Sequence, residues 1–177
     1  MIQIQLQSSS RLDIYSGFIH KMNQVIFQEQ RLFSYYCLFA QIVSGIHRAG
    51  LSERFMMHAS HELAHAQQVA HRIEQLGGSP LYPTKGWFEM AQATPCCGKS
   101  YDLKGMLREL IQEEHEMIYL YRELLLLSDA SDVITHQLLQ AILKEDKQHE
   151  SDLSNYIHEI DRTNDRLTKE AVYYDCH

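Results

Sequence analysis

Four segments of this chain carry apolar residues alternately three and four positions apart, and a single acidic residue interrupts each of these stripes. Such spacing places a stripe on one face of an α-helix and predicts that this face packs into a core. The interrupting residues are Glu29, Glu62, Glu114 and Asp146. Burying an unpaired carboxylate is unfavourable by on the order of several kcal/mol, and four facing carboxylates also repel one another. We therefore predict an all-α bundle with positive charge bound at its centre.

Two of the predicted helices lie in the first half of the chain. The stripe of helix A runs from Phe18 to Val43, and we expect this helix to end near Gly45. Ser52 is the expected N-cap of helix B, because a serine hydroxyl accepts a hydrogen bond from the first turn of a helix. Gly77 follows the last stripe residue of helix B and is expected to end it.

A long connection separates the second pair of helices from the first. Prolines and glycines interrupt the helical spacing from residue 79 to residue 101, and the roles of Cys96 and Cys97 within this segment are left open. Asp102 is the expected N-cap of helix C, and residues 128–131 are expected to turn the chain into helix D. Because the crossover is long, helix C can run parallel to helix B. The predicted fold is a four-helix bundle with one long crossover between helices B and C.

Length and charge restrict the class of protein further. At 177 residues the chain suits one domain, 1–177, with a polar tail at 1–11 and a tail or short fifth helix at 162–177. The net charge of -7 and the absence of Lys and Arg from the first ten residues argue against DNA binding. No apolar run approaches the ~18 residues of a membrane helix, and no signal peptide is recognisable. We expect a cytoplasmic protein that makes no contact with a membrane.

Histidines accompany two of the four acids at helical spacing. In Glu62-x-x-His65 and Asp146-x-x-His149 the imidazole lies one turn beyond the acid on nearly the same face. The predicted ligands are therefore one acid from each of helices A and C, and an acid with a histidine from each of helices B and D. Two divalent ions balance four carboxylates, and mostly oxygen ligands with a few imidazoles suit iron or manganese. Glu62 and Glu114 are expected to bridge the two ions.

These residues and their surroundings resemble the ferritin-like di-iron carboxylate proteins, and more narrowly bacterioferritin and the Dps-like proteins with a bacterioferritin-type site. The resemblance covers roughly residues 18–160. The segments that carry it are Met22-Asn23 before Glu29, Glu62-x-x-His65-Ala66 with Arg72-Ile73 and Leu76-Gly77-Gly78-Ser79-Pro80, Glu114 with Tyr121, and Ile142-Leu143 before Asp146-x-x-His149. Together they form a specific pattern, although each segment alone is a weak signal.

The resemblance implies a ferroxidase that binds two iron ions per chain, with manganese or zinc as substitutes in vitro. It implies oxidation of iron(II) by dioxygen or hydrogen peroxide and storage of iron(III) in a shell of identical subunits. Shells of this superfamily have twelve or twenty-four subunits. We favour twelve, because the C-terminal segment shows only a weak apolar face and the cysteine-bearing crossover resembles that of Dps-like proteins.

Three positions qualify the ligand set. Asp146 stands where the family usually has Glu, so its side chain is one methylene shorter, and the neighbouring Glu145 is a reserve candidate. Leu63 stands where bacterioferritin usually has a haem-binding Met, so haem is not expected. Tyr36 lies seven residues beyond Glu29 on the same stripe. It is expected to hydrogen-bond a bridging acid or to donate an electron during oxidation, with an ordinary core tyrosine as the alternative.

Two other functions remain open from the sequence. The string His61-Glu62-Leu63-Ala64-His65 matches the H-E-x-x-H pattern of zinc hydrolases, but that function leaves the other core acids unexplained. A di-iron or di-manganese oxidoreductase without iron storage shares the whole ligand motif. Storage is favoured over it because the compact chain has little beyond the bundle with which to build a substrate pocket. His58 shares a helical face with His61 and His65, which leaves a second metal site open.

Overall fold

The computed structural model describes the backbone of residues 2–45, 48–81, 102–128 and 132–174, with side chains described from residue 16 to residue 163 of these ranges. Its four helices are α1 (Ile2–Ile42), α2 (Arg48–Gln75), α3 (Leu103–Leu127) and α4 (Val133–Tyr174). They correspond to the predicted helices A to D, and the described residues contain no strand. None of the helices in these ranges combines the length and apolar character that a bilayer span requires.

Contacts with α1 show the directions of α2 and α3 relative to it. Ser52, near the start of α2, donates a hydrogen bond to the carbonyl of Ala40, near the end of α1, at 2.7 Å. Lys21 of α1 forms an ion pair with Glu123, near the end of α3, at 2.5 Å. Both α2 and α3 are therefore antiparallel to α1 and parallel to each other. This is the arrangement that a long crossover between the second and third helices permits.

The predicted stripes form the core of the bundle. Four stripe residues are half-buried and lie at the two ends of the bundle: Leu76, the last of helix B, Leu103, the first of helix C, and Tyr156 and Ile160, the last two of helix D. All the others, including the four interrupting acids, are less than a tenth exposed. Each large apolar side chain buried in this way stabilises the fold by about 1.5–3 kcal/mol. The hydrophobic pattern of the sequence is thus confirmed position by position.

Two predicted helix boundaries are confirmed by their hydrogen bonds. The carboxylate of Asp102 accepts a hydrogen bond from the backbone N–H of Gly105 at 2.6 Å, as an N-cap of α3 does. Gly77 has a φ of +79°, a conformation that glycine adopts without steric cost. The backbone N–H of Gly78 then bonds to the carbonyl of Ile73 at 2.9 Å and closes the end of α2.

The predicted N-cap of the second helix is wrong. α2 begins at Arg48, so Ser52 lies inside the helix rather than ahead of it. Its hydroxyl is directed to the carbonyl of Ala40 instead. The last carbonyls of a helix have no partner within that helix, and Ser52 supplies one of them with a donor.

The two terminal segments also differ from expectation. α1 begins at Ile2, so most of segment 1–11 is helical. α4 continues without a break to Tyr174, so the described part of segment 162–177 is neither a separate tail nor a fifth helix. The predictions for Cys96 and Cys97, and those for the crossover beyond Leu81, lie outside the described residues.

Candidate metal centre

The four stripe acids meet at the middle of the bundle, and each is 0% exposed. Two groups of side chains place donor atoms within 4.8 Å of one another. One group consists of Glu29, Glu62, His65 and Asp146, and the other consists of His58, Glu114 and His149. All six residues predicted as ligands therefore lie in one buried centre, and His58 lies there as well.

Glu62 occupies the middle of this centre. Its Oε1 lies 2.9 Å from Nδ1 of His149, and its Oε2 lies 3.5 Å from Nδ1 of His65. Oδ1 of Asp146 lies 3.4 Å from the same nitrogen of His65. The two acids that share helices with the histidines thus lie between or beside the imidazoles, and Glu62 faces both.

Glu29 and Glu114 lie at opposite ends of the centre. Oε1 of Glu29 is 3.7 Å from Nδ1 of His65, and Oε1 of Glu114 is 3.4 Å from Nδ1 of His149. Glu114 lies in one donor group with the imidazoles of His58 and His149, and no contact with His65 is described. The bridging position expected for Glu114 therefore stays a prediction.

Many polar atoms of the centre have no hydrogen-bond partner among the described residues. They are Oε2 of Glu29, both carboxylate oxygens of Glu62 and of Asp146, Oε2 of Glu114, Nδ1 of His65 and of His149, and Nε2 of His58. Buried polar atoms are almost always satisfied, so this convergence requires an explanation. Atoms that each lie about 2.1 Å from one divalent ion are roughly 3–3.5 Å apart, close to the separations found here. The residues present therefore fit two metal ions.

Two buried tyrosines hold the terminal acids. The hydroxyl of Tyr36 donates to Oε1 of Glu114, and that of Tyr121 donates to Oε1 of Glu29. Burial and the charge of the neighbouring carboxylate raise the pKa of each tyrosine well above its ordinary value. Both hydroxyls therefore stay protonated and act as hydrogen-bond donors. Tyr36 thus forms a hydrogen bond with one of the two acids that were expected to bridge the ions.

Each central imidazole also has an outer partner. Nε2 of His65 lies 2.9 Å from Oε2 of Glu145, and Nε2 of His149 lies 3.0 Å from Nδ1 of His61. The side chain of Glu145 is 56% exposed, so it contacts the centre from its outer side. Glu145 is thus placed as a partner of a histidine rather than as a core acid. Outer partners of this kind fix the orientation of an imidazole and determine which nitrogen carries the proton.

In the metal-free chain, the pKa values of the carboxyl groups of the centre are strongly shifted. Burial and the charge of Glu62 raise the pKa of Glu114 to about 7. Burial is also the main reason that the pKa values of Glu29 and Asp146 lie well above the ordinary range, with nearby carboxylates adding to the effect. Burial opposes ionisation of Glu62 too, but the adjacent imidazoles of His149 and His65 lower its pKa.

The pKa values of the two imidazoles are raised as well, which favours their charged form. Burial by itself lowers the pKa of His65, yet the adjacent Glu29 and Glu62 raise it to about 12. For His149, Glu114 and Glu62 likewise outweigh burial and raise the pKa to about 9. The centre therefore attracts positive charge. The two imidazolium ions balance part of the negative charge of the acids, and two divalent cations can balance all of it.

The H-E-x-x-H pattern does not form a zinc site among the described residues. A zinc hydrolase of this type holds one ion with both histidines of the pattern. Here His65 belongs to a donor group that does not include His61. The Nδ1 atom of His61 faces the imidazole of His149 instead. This geometry does not favour the zinc-hydrolase function.

His58 is the residue of the centre that the sequence did not predict as a ligand of the two ions. It is 0% exposed, and its ring centroid lies 4.1 Å from that of His149. Its spacing carried a signal, because it lies four residues before Glu62 and seven before His65 on one face of α2. Burial and the adjacent His149 lower the pKa of His58 to about 3, so this imidazole is neutral and retains a free lone pair.

Comparison with known proteins agrees with this architecture. The sequence profile of the ferritin-like domain family matches residues 19–163. A bacterioferritin-related protein of Bacteroides fragilis, described as a dodecameric thioferritin, is 30% identical, with a TM-score of 0.77 over 86% of this chain and 90% of that chain. No curated protein sequence is significantly similar to this chain.

Two more distant structures share the fold. The bacterioferritin of Desulfovibrio desulfuricans, a protein with a diiron site, is 20% identical with a TM-score of 0.73, over 88% of this chain and 86% of that chain. Dps of Thermosynechococcus elongatus is 18% identical with the same TM-score of 0.73, over 82% of this chain and 92% of that chain. Because the family profile spans most of the bundle and the Bacteroides fragilis protein is similar over nearly its whole length, this chain belongs to the ferritin-like domain family.

Proposed function

We propose that this protein is a ferroxidase that binds two iron(II) ions per chain, oxidises them with dioxygen or hydrogen peroxide, and stores the iron(III) in a multi-subunit shell. One observation carries the proposal. The two oxygens of Glu62 face two different imidazoles, and neither oxygen has a hydrogen-bond partner. A carboxylate in this position is suited to join two ions. Four acids with a combined charge of −4 match two divalent ions.

The distances support a specific division of roles. Glu62 is proposed as the acid shared by the two ions, because its two oxygens face two different imidazoles. Asp146 lies in one donor group with Glu29 and His65 and is proposed as a further ligand of the ion held there. Glu29 with His65 would hold one ion, and Glu114 with His149 would hold the other. Both imidazoles would bind through Nδ1, the nitrogen that faces the carboxylates. Tyr36, the remaining predicted site residue, is proposed to act through Glu114.

The surrounding side chains prepare these ligands for metal binding. An imidazole that binds through Nδ1 carries its proton on Nε2, and Glu145 accepts a hydrogen bond from Nε2 of His65. Nδ1 of His61 is placed to accept the corresponding hydrogen bond from Nε2 of His149. The tyrosines orient the terminal acids, and full burial excludes bulk water. When bound, a pair of iron(II) ions supplies two electrons at one place, as reduction of peroxide requires.

Metal titration tests the centre directly. We expect the metal-free chain to bind two iron(II) ions under anaerobic conditions and to oxidise both rapidly when dioxygen or peroxide is added. Glu62→Ala should abolish rapid oxidation, since it removes the acid that faces both imidazoles. Glu74→Ala, on the exposed surface of the same helix, is the matched control and should behave as the native chain. Rapid oxidation in Glu62→Ala would contradict the proposal. One zinc ion bound independently of Glu114 would favour a hydrolase.

Storage also requires assembly of a shell. The related Bacteroides fragilis protein is described as dodecameric, which supports twelve subunits here. The described surface exposes several apolar side chains around the corner between α3 and α4: Leu126, Leu127, Val133 and Ile134. Exposed apolar groups of this kind mark subunit contacts.

Light scattering of the native protein distinguishes the possible assemblies. Twelve chains of 20.7 kDa should give about 250 kDa, and twenty-four should give about 500 kDa. A persistent monomer or dimer with two bound metal ions would instead indicate a di-iron or di-manganese oxidoreductase that does not store iron. The iron content of the assembled protein after repeated oxidation measures storage itself.

A further inference from the structure

The two halves of the metal centre are not equivalent, because His58 lies in only one of them. We propose that His58 is a ligand of the ion held by Glu114 and His149, so that the centre has one imidazole-rich and one carboxylate-rich position that fill in order. This inference rests on the proposed two-ion centre and specifies its metal preference. The imidazole-rich position would take a borderline divalent ion such as Zn²⁺ or Co²⁺ first.

The contacts of His58 support its role as a metal ligand. It contributes a ring nitrogen to the group of donor atoms that it forms with Glu114 and His149, all within 4.8 Å of one another. Its Nδ1 lies 3.3 Å from the hydroxyl of Tyr36, whose only hydrogen is donated to Glu114. Its Nε2 has no hydrogen-bond partner, and the carboxylate of Asp152 is 3.9 Å away. A fully buried imidazole nitrogen without a hydrogen-bond partner is unusual, and a bound cation would satisfy its lone pair.

The half of the centre that contains His65 has no described residue equivalent to His58. His58 lies four residues before Glu62 on α2, and the equivalent position before Asp146 on α4 is the buried, apolar Ile142. Among the described residues, the donor group of His65 therefore contains no second imidazole. The first position has two imidazoles and the carboxylate of Glu114, while the second has one imidazole with two carboxylates besides the shared Glu62.

General coordination chemistry then predicts the order of filling. Imidazole suits zinc, cobalt and copper, whereas carboxylate-rich sites suit manganese and magnesium. A borderline ion should therefore bind the position of His58 and His149 more tightly than the position of Glu29 and His65. The ferroxidase site would then accept two different metals in defined places.

Cobalt(II) titration of the metal-free full-length protein under anaerobic conditions tests this order. High-spin cobalt shifts the ring N–H proton signal of every histidine that binds it. We expect two shifted ring N–H signals at one equivalent, from His58 and His149, and a third at two equivalents, from His65. This measurement uses the native chain and does not depend on whether a variant folds. A single shifted signal at one equivalent, or only two at saturation, would overturn the inference.

A substitution gives a second readout. His58→Gln should remove one ring N–H signal and weaken binding of the first cobalt ion by at least about tenfold, the lower end of the cost of losing a metal-site partner. His71→Gln, on the exposed surface of the same helix, is the matched control and should bind as the native chain. Two cobalt ions bound with equal affinity by His58→Gln and its control would overturn the inference but leave the two-ion centre standing. Fewer than two ions bound by the native chain would overturn both.

Discussion

Tyr36 of α1 donates its hydroxyl hydrogen to Glu114 of α3 across the core of the bundle. Tyr121 of α3 donates in return to Glu29 of α1. Each tyrosine lies seven residues beyond the acid of its own helix, two turns along the same face. The two antiparallel helices thus exchange equivalent hydrogen bonds, and each terminal acid is held by the tyrosine of the opposite helix.

This exchange predicts that the two tyrosines act on different metal positions. Tyr36→Phe should weaken metal binding mainly at the position of Glu114, because the freed carboxylate loses its fixed orientation. Tyr121→Phe should weaken the position of Glu29 in the same way, and a loss of about tenfold is expected for each. Competition against a chelator of known affinity measures both steps. Equal effects of both variants on the same binding step would argue against separate roles.

The short side chain of Asp146 is expected to tolerate lengthening. It is fully buried beside His65, and neither of its carboxylate oxygens has a hydrogen-bond partner in the described structure. Asp146→Glu should therefore retain two metal ions and rapid oxidation, since the carboxylate stays in the middle of the centre. Asp146→Ala should bind fewer than two ions. A large loss of activity in Asp146→Glu, measured by stopped-flow absorbance, would show that the reach of the aspartate is itself required.

Metal binding should expel protons and should rescue stability at high pH. In the metal-free chain the pKa of Glu114 is raised from 4.5 to about 7, and that of His149 from 6.5 to about 9. The folded chain then binds more protons than the unfolded chain, so its stability is greatest below the unfolded values and falls as pH rises from about 4.5 to about 9. Thermal unfolding with and without metal should diverge across this range. A metal-free melting temperature that rises over the same range would contradict this account.

A cluster away from the centre should contribute stability with the opposite pH dependence. Asp132 accepts a hydrogen bond from the backbone N–H of Thr135 at 3.1 Å as the N-cap of α4, and it forms an ion pair with Arg72 of α2 at 2.7 Å. Burial opposes ionisation, but the hydrogen bonds from Thr135 and Arg72 outweigh it and lower the pKa of Asp132 below 3.8. Asp132→Ala should lower the free energy of unfolding by about 1–2 kcal/mol.

The difference should depend on pH, and comparison with a second N-cap separates the ion pair from the cap. A lowered folded-state pKa gives stability that is present above pH 3.8 and is lost as pH falls through the folded value. The difference between native and Asp132→Ala chains, measured by denaturant unfolding, should therefore shrink in acid. Asp102→Ala removes the N-cap of α3, for which no contact with an arginine is described, and is the matched control with a smaller expected loss. Equal losses in both variants would show that Arg72 contributes little.

The sequence alone determined the helices, their buried faces and the residues that meet at the centre. These are local properties, because the period of the α-helix assigns each residue to a face from its spacing along the chain. The stripe from Phe18 to Val43 is buried as predicted, and so are the acids that interrupt the four stripes. The ends of helices were less determined, as Ser52 shows, because a hydroxyl near a helix start can also bond to a neighbouring helix.

Only the tertiary structure decided how the central residues divide among themselves. The spacing of Glu114 does not show which imidazoles it faces, and the structure puts it in one group with His58 and His149 rather than with His65. His58 gave the same signal as any histidine on a buried face until α3 and α4 brought Glu114 and His149 to it. Such relationships depend on how each helix is rotated and displaced against three others. That packing is a property of the whole core and is not encoded in the period of a single helix.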